Sequence, residues 1–184
     1  ALIPKSDKFK RDPAHGLTFN QIESNNLSEN ELAIITYFPN TELGRSNATK
    51  WYNEFHKISH NIKVDHKIYI LFEKNNNFNT GQMFNIGFKI VNNENSNFLF
   101  HSSNLIPNKE LIKYYSCEPF NPIHLEAKEI DYHYNFNQMG TFMISGRDFV
   151  RLNGFSNEES CDPNLWYMTF MRMAFNNFTV DQPK

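Results

Sequence analysis

Residues Leu32-Ala33-Ile34-Ile35-Thr36-Tyr37-Phe38 form a short apolar run that ends at Pro39-Asn40. A run of this length, bounded by turn residues, is typical of a strand that is buried on both faces. Apolar residues then recur at steps of three and four, which predicts a helix that buries one face: Ala48, Trp51, Tyr52, Phe55, Ile58 and Ile62. A second apolar run, Ile68-Tyr69-Ile70-Leu71-Phe72, predicts a second buried strand.

The same alternation continues for one more helix and one more strand. Asn79 or Thr80 can cap a helix that faces the core with Phe84, Gly87, Phe88 and Val91. Asn97-Phe98-Leu99-Phe100 then predicts a third strand, which ends in the polar turn His101-Ser102-Ser103-Asn104. Strands that alternate with helices are typical of parallel βαβ units.

The second half of the chain follows a different pattern. Ile123-His124-Leu125-Glu126-Ala127 and Thr141-Phe142-Met143-Ile144 predict strands with no long helix between them. Ser145 can cap a short helix that stops at Asn153-Gly154, and Leu165 to Phe175 predicts a last helix that is apolar nearly all round. The predicted fold class is therefore α/β, with a mainly parallel central sheet, helices on both sides and a β-rich second half.

Ligands of such sheets bind where the parallel strands end. We therefore expect any site at residues 37–40, 73–79 and 101–104. Residues 1–30 mix Pro, Lys, Asn and Ser without a period and are predicted to be an extended arm, whereas 31–184 is predicted to be one domain. The start at Ala1 without an initiator Met indicates a processed or excised fragment.

Composition excludes some functions and favours a cellular compartment. The net charge of −2 has no basic stripe, which argues against nucleic-acid binding, and no apolar stretch is long enough to span a membrane. Three sequons, at Asn26, Asn47 and Asn177, favour the secretory pathway, in the Golgi lumen or outside the cell. The chain is also rich in Asn, which lowers the weight of each sequon.

Four motifs in order resemble the animal β-1,4-galactosyltransferase family, whose members have the Rossmann-like GT-A fold. The matching segments are Phe78-Asn79-Thr80-Gly81-Gln82-Met83-Phe84-Asn85-Ile86-Gly87-Phe88, Phe100-His101-Ser102-Ser103-Asn104-Leu105-Ile106-Pro107, Gly140 to Ser145, and Phe149 with Leu152-Asn153-Gly154-Phe155. The resemblance implies a nucleotide-sugar site, which in this chain would be formed by Phe78, Asn79, Thr80, His101, Ser102 and Asn104.

The departures from the family pattern fall on the residues that would carry the chemistry. Family members place two Asp in the turn after the third strand to hold Mn²⁺, and the matching positions here are Ser102 and Asn104. Thr80 stands where the family has an Arg. Counting forward to Arg172, which matches a family Arg, places the family's acidic run on Leu165, Trp166, Tyr167 and Met168. The resemblance thus implies a degenerate site with no metal and no catalytic carboxylate.

These departures favour a pseudo-glycosyltransferase without a cofactor, which would act as a binding or assembly module with a protein partner or in a larger complex. Two alternatives stay open. One is a divergent, metal-independent glycosyltransferase that uses a UDP-sugar, or one that still uses Mn²⁺. The other is a carbohydrate-recognition domain that binds a glycan without turnover. In the pseudo-glycosyltransferase, Trp166 and Tyr167 are expected to fill the former acceptor pocket, whereas a recognition domain would keep an aromatic-lined acceptor cleft.

Several other residues have both a functional interpretation and a simpler structural one. His56 and His60 could form a zinc pair, but a solvated helix face explains them better. His101 could replace a metal or phosphate ligand, although a polar turn residue is the simpler interpretation. Asp131 or Asp162 could act as a displaced base, yet loop aspartates usually cap or solvate. Cys117 and Cys161 could form a disulfide or remain free thiols.

Overall fold

The computed structural model describes residues 31–73, 79–106, 111–125, 140–157 and 162–181, with the backbone alone at 162–164. Several of the predictions above concern residues outside these ranges. They are the arm at 1–30 with the sequon at Asn26, Phe78, Pro107, Glu126 and Ala127 of a predicted strand, Asp131, Cys161 and the side chain of Asp162.

Five strands form one sheet in the described ranges. They are β1 (Leu32–Pro39), β2 (His66–Glu73), β3 (Asn97–His101), β4 (Ile123–His124) and β5 (Thr141–Ser145). The order across the sheet is β2-β1-β3-β5-β4, with β1 parallel to both β2 and β3 and with β5 antiparallel to β3 and β4. The predicted α/β fold with a mainly parallel sheet is confirmed, and the second half supplies β4 and β5.

Helices cover both faces of this sheet. They are α1 (Glu42–Ser59), α2 (Thr80–Val91), α3 (Gly146–Leu152) and α4 (Asp162–Phe175), and a 3₁₀ helix spans Ile112–Ser116. Trp51 and Phe55 of α1 pack on one face with the 3₁₀ helix. The other face carries α2, α3 and α4, and its core includes Phe84, Phe149 and Trp166. The sheet is therefore buried between two apolar clusters.

The helix ends follow the predicted signals. Asn79 caps α2 by accepting a hydrogen bond from the Gln82 N–H at 2.8 Å, and Ser145 caps α3 by accepting from the Asp148 N–H at 3.1 Å. Asn153 ends α3 in the left-handed conformation at φ 63°, which Asn tolerates better than most residues.

Three features differ from the sequence predictions. Tyr52 is 40% exposed and stacks on His56 one turn later, because it lies at the edge of the apolar face of α1. Ile62 is buried, but it follows the end of α1. β2 is an edge strand whose Phe72 is exposed, so it is not buried on both faces as predicted.

Candidate functional site

The carboxyl ends of β1, β2 and β3 lie side by side, because these three strands are parallel. At this end of the sheet the Tyr37 hydroxyl and the Thr80 hydroxyl are hydrogen-bonded at 2.5 Å, and both residues are buried. The pair joins the end of β1 to the first turn of α2. Neutral hydroxyls thus occupy the position where the family resemblance implies an Arg.

An arginine does lie near the carboxyl ends of these strands, in the first turns of α1. Arg45 donates to Asn40 Oδ1 from Nε at 3.0 Å and from one terminal nitrogen at 2.7 Å, and its guanidinium lies 5.2 Å from the centre of the Phe72 ring. These contacts hold the guanidinium beside Asn40, just after β1, and beside Phe72 of β2.

The turn after β3 contains Ser102 and Asn104, the positions of the family's metal-binding acids. The Ser102 carbonyl oxygen accepts from the Leu105 N–H at 3.3 Å, and the Ser102 hydroxyl accepts from the Asn104 N–H at 3.4 Å. On its other side, the Leu105 carbonyl oxygen accepts from the Trp51 indole N–H at 2.8 Å. The turn keeps a defined shape, but it presents a hydroxyl and an amide.

His101 belongs to β3 and points into the core. Its ring lies 5.2 Å from the Trp51 ring and 5.9 Å from the Phe55 ring, and Nδ1–H donates to the Ser102 carbonyl oxygen at 2.8 Å. Burial lowers the pKa of His101 to about 4, with the hydrogen bond to Ser102 opposing the shift. At neutral pH the imidazole is an uncharged core group.

The residues of this turn do not fit a divalent cation. Mn²⁺ and Mg²⁺ prefer carboxylate oxygens, and Ser102 and Asn104 provide none. Within the described ranges, no three His, Cys, Asp or Glu side chains come close enough to hold a metal ion. His56 is exposed on α1 and His60 is exposed directly after its end, which agrees with the simpler interpretation of that pair.

Asn85 of α2 connects the helix to the loop after α3. Its Oδ1 accepts from the Phe155 N–H at 2.9 Å, and its Nδ2 donates to the Phe155 carbonyl oxygen at 3.0 Å and to Asn157 Oδ1 at 2.7 Å. Asn79 adds a bond from Nδ2 to the Asn157 carbonyl oxygen at 2.8 Å. The side chain of Asn79, predicted as a nucleotide contact, is thus engaged in the cap and in this loop.

Arg172 of α4 contacts the same loop from the other side. Its guanidinium donates to the Gly154 carbonyl oxygen at 2.9 Å and to that of Asn153 at 3.3 Å. Close approach of α4 also depends on Gly81, because a Cβ there would lie 2.2 Å from the Ser156 carbonyl oxygen and 2.8 Å from Leu165 Cδ1. The motif residues Asn85 and Gly81 therefore shape the fold, a role that the sequence analysis did not assign.

The positions of the family's acidic run divide between core and surface. Leu165 and Trp166 are 0% and 1% exposed, whereas Tyr167 and Met168 are 51% and 37% exposed. An α-helix turns by about 100° per residue, so four consecutive positions cannot share one face. Trp166 therefore lies in the core, whereas about half of Tyr167 is exposed. That the two side chains fill the former acceptor pocket stays a prediction.

Trp166 lies against rings from the sheet. Its ring centre is 4.6 Å from that of His124 in β4 and 5.2 Å from that of Phe142 in β5. Thr141, next to Phe142, pairs with His101, so this stack lies close to the carboxyl end of β3. Among the described residues, none forms a hydrogen bond with the Trp166 indole nitrogen or the His124 ring nitrogens. Burial lowers the pKa of His124 to about 4.

The sequence profile for the N-terminal region of glycosyl transferase group 7 matches residues 19–118, which is more than half of the chain. The chain belongs to glycosyl transferase group 7. No curated protein sequence matches it. The solved structures that share its fold include two of Drosophila β1,4-galactosyltransferase 7.

The first is the catalytic domain in complex with xylobiose, which is 19% identical with a TM-score of 0.67. The second is a variant in complex with manganese, UDP-Gal and xylobiose, which is 20% identical with a TM-score of 0.66. Each alignment covers 84% of this chain and 65% of the solved one. This group 7 chain therefore has a galactosyltransferase-like domain of GT-A type, and it spans less than two thirds of the length of those structures.

Two other predictions are addressed by the described residues. The Cys117 thiol is free and exposed, and its proposed partner Cys161 lies outside the described ranges. None of the helices in those ranges has the length and the apolar content needed to cross a membrane.

Proposed function

We propose that this chain is a galactosyltransferase-like domain that does not transfer sugar and acts as a binding or assembly module. The observation that carries the proposal is Trp166, which lies in the core at a position where the family resemblance implies a carboxylate. Sugar transfer with inversion needs a base that removes the proton of the acceptor hydroxyl. The neutral rings of His124 and Phe142 surround Trp166 instead.

A second requirement of transfer is a positive centre that stabilises the diphosphate leaving group. Ser102 and Asn104 supply no carboxylate for a metal ion, and the hydroxyls of Tyr37 and Thr80 supply no cation. Arg45 is engaged with Asn40 and Phe72. These observations support the absence of a metal or nucleotide cofactor.

We further propose that the domain works in the lumen of the secretory pathway and extends over residues 31–184, outside the arm at 1–30. Asn47 and Asn177 of two sequons are exposed, as is the Cys117 thiol, which could react in an oxidising compartment. Asp181 pairs with Ile123 beside β4, so the end of the described chain joins the same sheet as its start.

Hydrolysis and transfer of UDP-galactose test this proposal, because UDP-Gal and manganese are bound by the structurally similar Drosophila enzyme. UDP release would be measured with Mn²⁺, with and without xylobiose, and the Drosophila catalytic domain would serve as the positive control. We expect release at the rate of the protein-free blank. Release above the blank that rises with protein concentration would support the divergent transferase and overturn the proposal.

A further inference from the structure

β2 forms one edge of the sheet, and among the described residues only one of its two sides is paired. Its inner side bonds to β1, as shown by the Leu32 N–H to the Asp65 carbonyl oxygen and by the Asn40 N–H to the Glu73 carbonyl oxygen, both at 2.9 Å. The backbone N–H and C=O groups alternate in direction along a strand, and those of the odd-numbered residues of β2 point to β1. The N–H and C=O groups of Ile68, Ile70 and Phe72 therefore point away from β1, and no described residue outside β2 forms a hydrogen bond with them.

The outer side of β2 lacks the features that usually prevent edge pairing. Edge strands of monomeric proteins commonly carry a charge, a proline or a bulge in their middle. Here the five central residues, Ile68 to Phe72, are apolar or aromatic, and the charges of Lys67 and Glu73 lie only at the ends. Ile68, Tyr69 and Ile70 are half-buried and Phe72 is exposed, whereas the apolar residues of β1 are buried throughout.

We infer that two copies of this chain pair through antiparallel β2 strands, about a twofold axis at Ile70 that is perpendicular to the sheet. Only the even-numbered residues of β2 have N–H and C=O groups that point outward. Each hydrogen-bonded pair must therefore join an even-numbered residue of one copy to an even-numbered residue of the other. This register pairs Ile70 with Ile70 and Ile68 with Phe72 of the second copy, and each such pair exchanges two hydrogen bonds.

Charge complementarity favours this register over the neighbouring one, in which the axis passes through Tyr69. The non-hydrogen-bonded positions, where Cα atoms are about 4.5 Å apart, join Lys67 to Glu73 of the second copy at both ends of the ladder. Moving the axis to Tyr69 would instead place Glu73 opposite Asp65, which joins two acids. Glu73 forms no ion pair within the described ranges, and the Lys67 ammonium lies 3.6 Å from Glu31.

The side chains on both faces of the sheet agree with this pairing. Ile68 and Ile70 pack on the α1 face, and Tyr69 and Leu71 pack on the α2 face. A twofold axis perpendicular to the sheet places like faces side by side. The apolar clusters of the two copies would therefore continue across the junction, and burial of the exposed Phe72 ring would add to the stability of the dimer.

Paired charge reversals test the dimer and its register by sedimentation equilibrium. Wild-type protein is expected to dimerise at concentrations up to roughly 100 µM, and Lys67→Glu or Glu73→Lys alone to weaken the dimer by about tenfold or more. An equimolar mixture of the two variants restores both opposite-charge pairs, so heterodimers should form near wild-type strength. A monomeric wild type, or a mixture no stronger than its separate components, would overturn the inference.

A second pair of variants covers the case in which a charge reversal impairs folding. Phe72→Pro removes an outward N–H without touching the ladder to β1, and Phe72→Ala keeps that N–H as its matched control. We expect the proline variant to be monomeric with an unchanged circular dichroism spectrum, and the alanine variant to retain measurable dimer. Dimers of equal strength in both variants would contradict pairing through β2. This dimerisation does not depend on whether the chain transfers sugar.

Discussion

The side-chain amide of Asn85 bonds both backbone polar groups of Phe155, across 70 residues of sequence, at 2.9 and 3.0 Å. Asn85 and Phe155 are buried, so the loop that follows α3 has a fixed position against α2. The loop contains the Asn-Gly-Phe sequence of the family resemblance, and Asn85 fixes it against the helix that opens the family-like motif.

Asn85→Ala should destabilise the fold strongly. The variant leaves the buried N–H and carbonyl oxygen of Phe155 without partners, which costs roughly 3 kcal/mol in the free energy of unfolding. Asn157→Ala is the matched control, since it removes one bond to Asn85 and spares those to Phe155, and it should cost about 1 kcal/mol. Denaturant unfolding of both variants measures the difference, and equal losses would contradict the role assigned to Asn85.

An acid restored at position 166 should not be tolerated. Trp166→Glu places a carboxyl group among buried rings and removes a large apolar side chain, so we expect a loss of more than about 4 kcal/mol or failure to fold. Met168→Glu, two residues later on the exposed face, should change the free energy of unfolding by less than about 0.5 kcal/mol. A stable Trp166→Glu variant would show that this position can open to solvent.

Stability should fall as the pH falls from about 6.5 to about 4. His101 and His124 have folded pKa values of about 4, below the ordinary value, because burial disfavours their charged forms. The unfolded chain therefore binds more protons in this range, and each imidazole can remove on the order of 3 kcal/mol. Denaturant unfolding at pH 7.5 and 4.5 should show this loss, and His124→Phe should reduce it. An unchanged pH dependence in that variant would argue against burial of a neutral His124.

Expression through a secretory route should modify Asn177. This residue follows α4 in an exposed, left-handed turn, which gives access to its side chain. We expect a shift in mass that is removed by an amidase specific for N-linked glycans and reduced in Asn177→Gln. Secreted protein without any glycan at Asn177 would remove one support for the lumenal proposal.

Much of the fold was predictable because its signals are local. The apolar run of β1, the caps at Asn79 and Ser145, and the left-handed Asn153 each depend on neighbouring residues. The strand order does not depend on neighbouring residues in the sequence. For that reason β2 was predicted as a buried strand, because its apolar run resembles that of an internal strand.

The candidate site was less predictable for similar reasons. α4 is apolar nearly all round, so its pattern could not distinguish the buried Trp166 from the exposed Tyr167. His101 was expected in a polar turn, but β3 extends one residue further and turns its ring into the core. The contacts of Asn85 with Phe155 join distant parts of the chain, and no local pattern indicates them.

Calorimetric titration with UDP in the presence of Mn²⁺ is the most direct test of the proposal that this chain has no metal-dependent nucleotide site. Wild-type protein should show no binding tighter than a dissociation constant of roughly 0.1 mM, because Ser102 and Asn104 provide no carboxylate for the metal ion. The double variant Ser102→Asp, Asn104→Asp serves as the comparison and should gain measurable Mn²⁺ binding. Tight, Mn²⁺-dependent binding of UDP by the wild type would contradict the account.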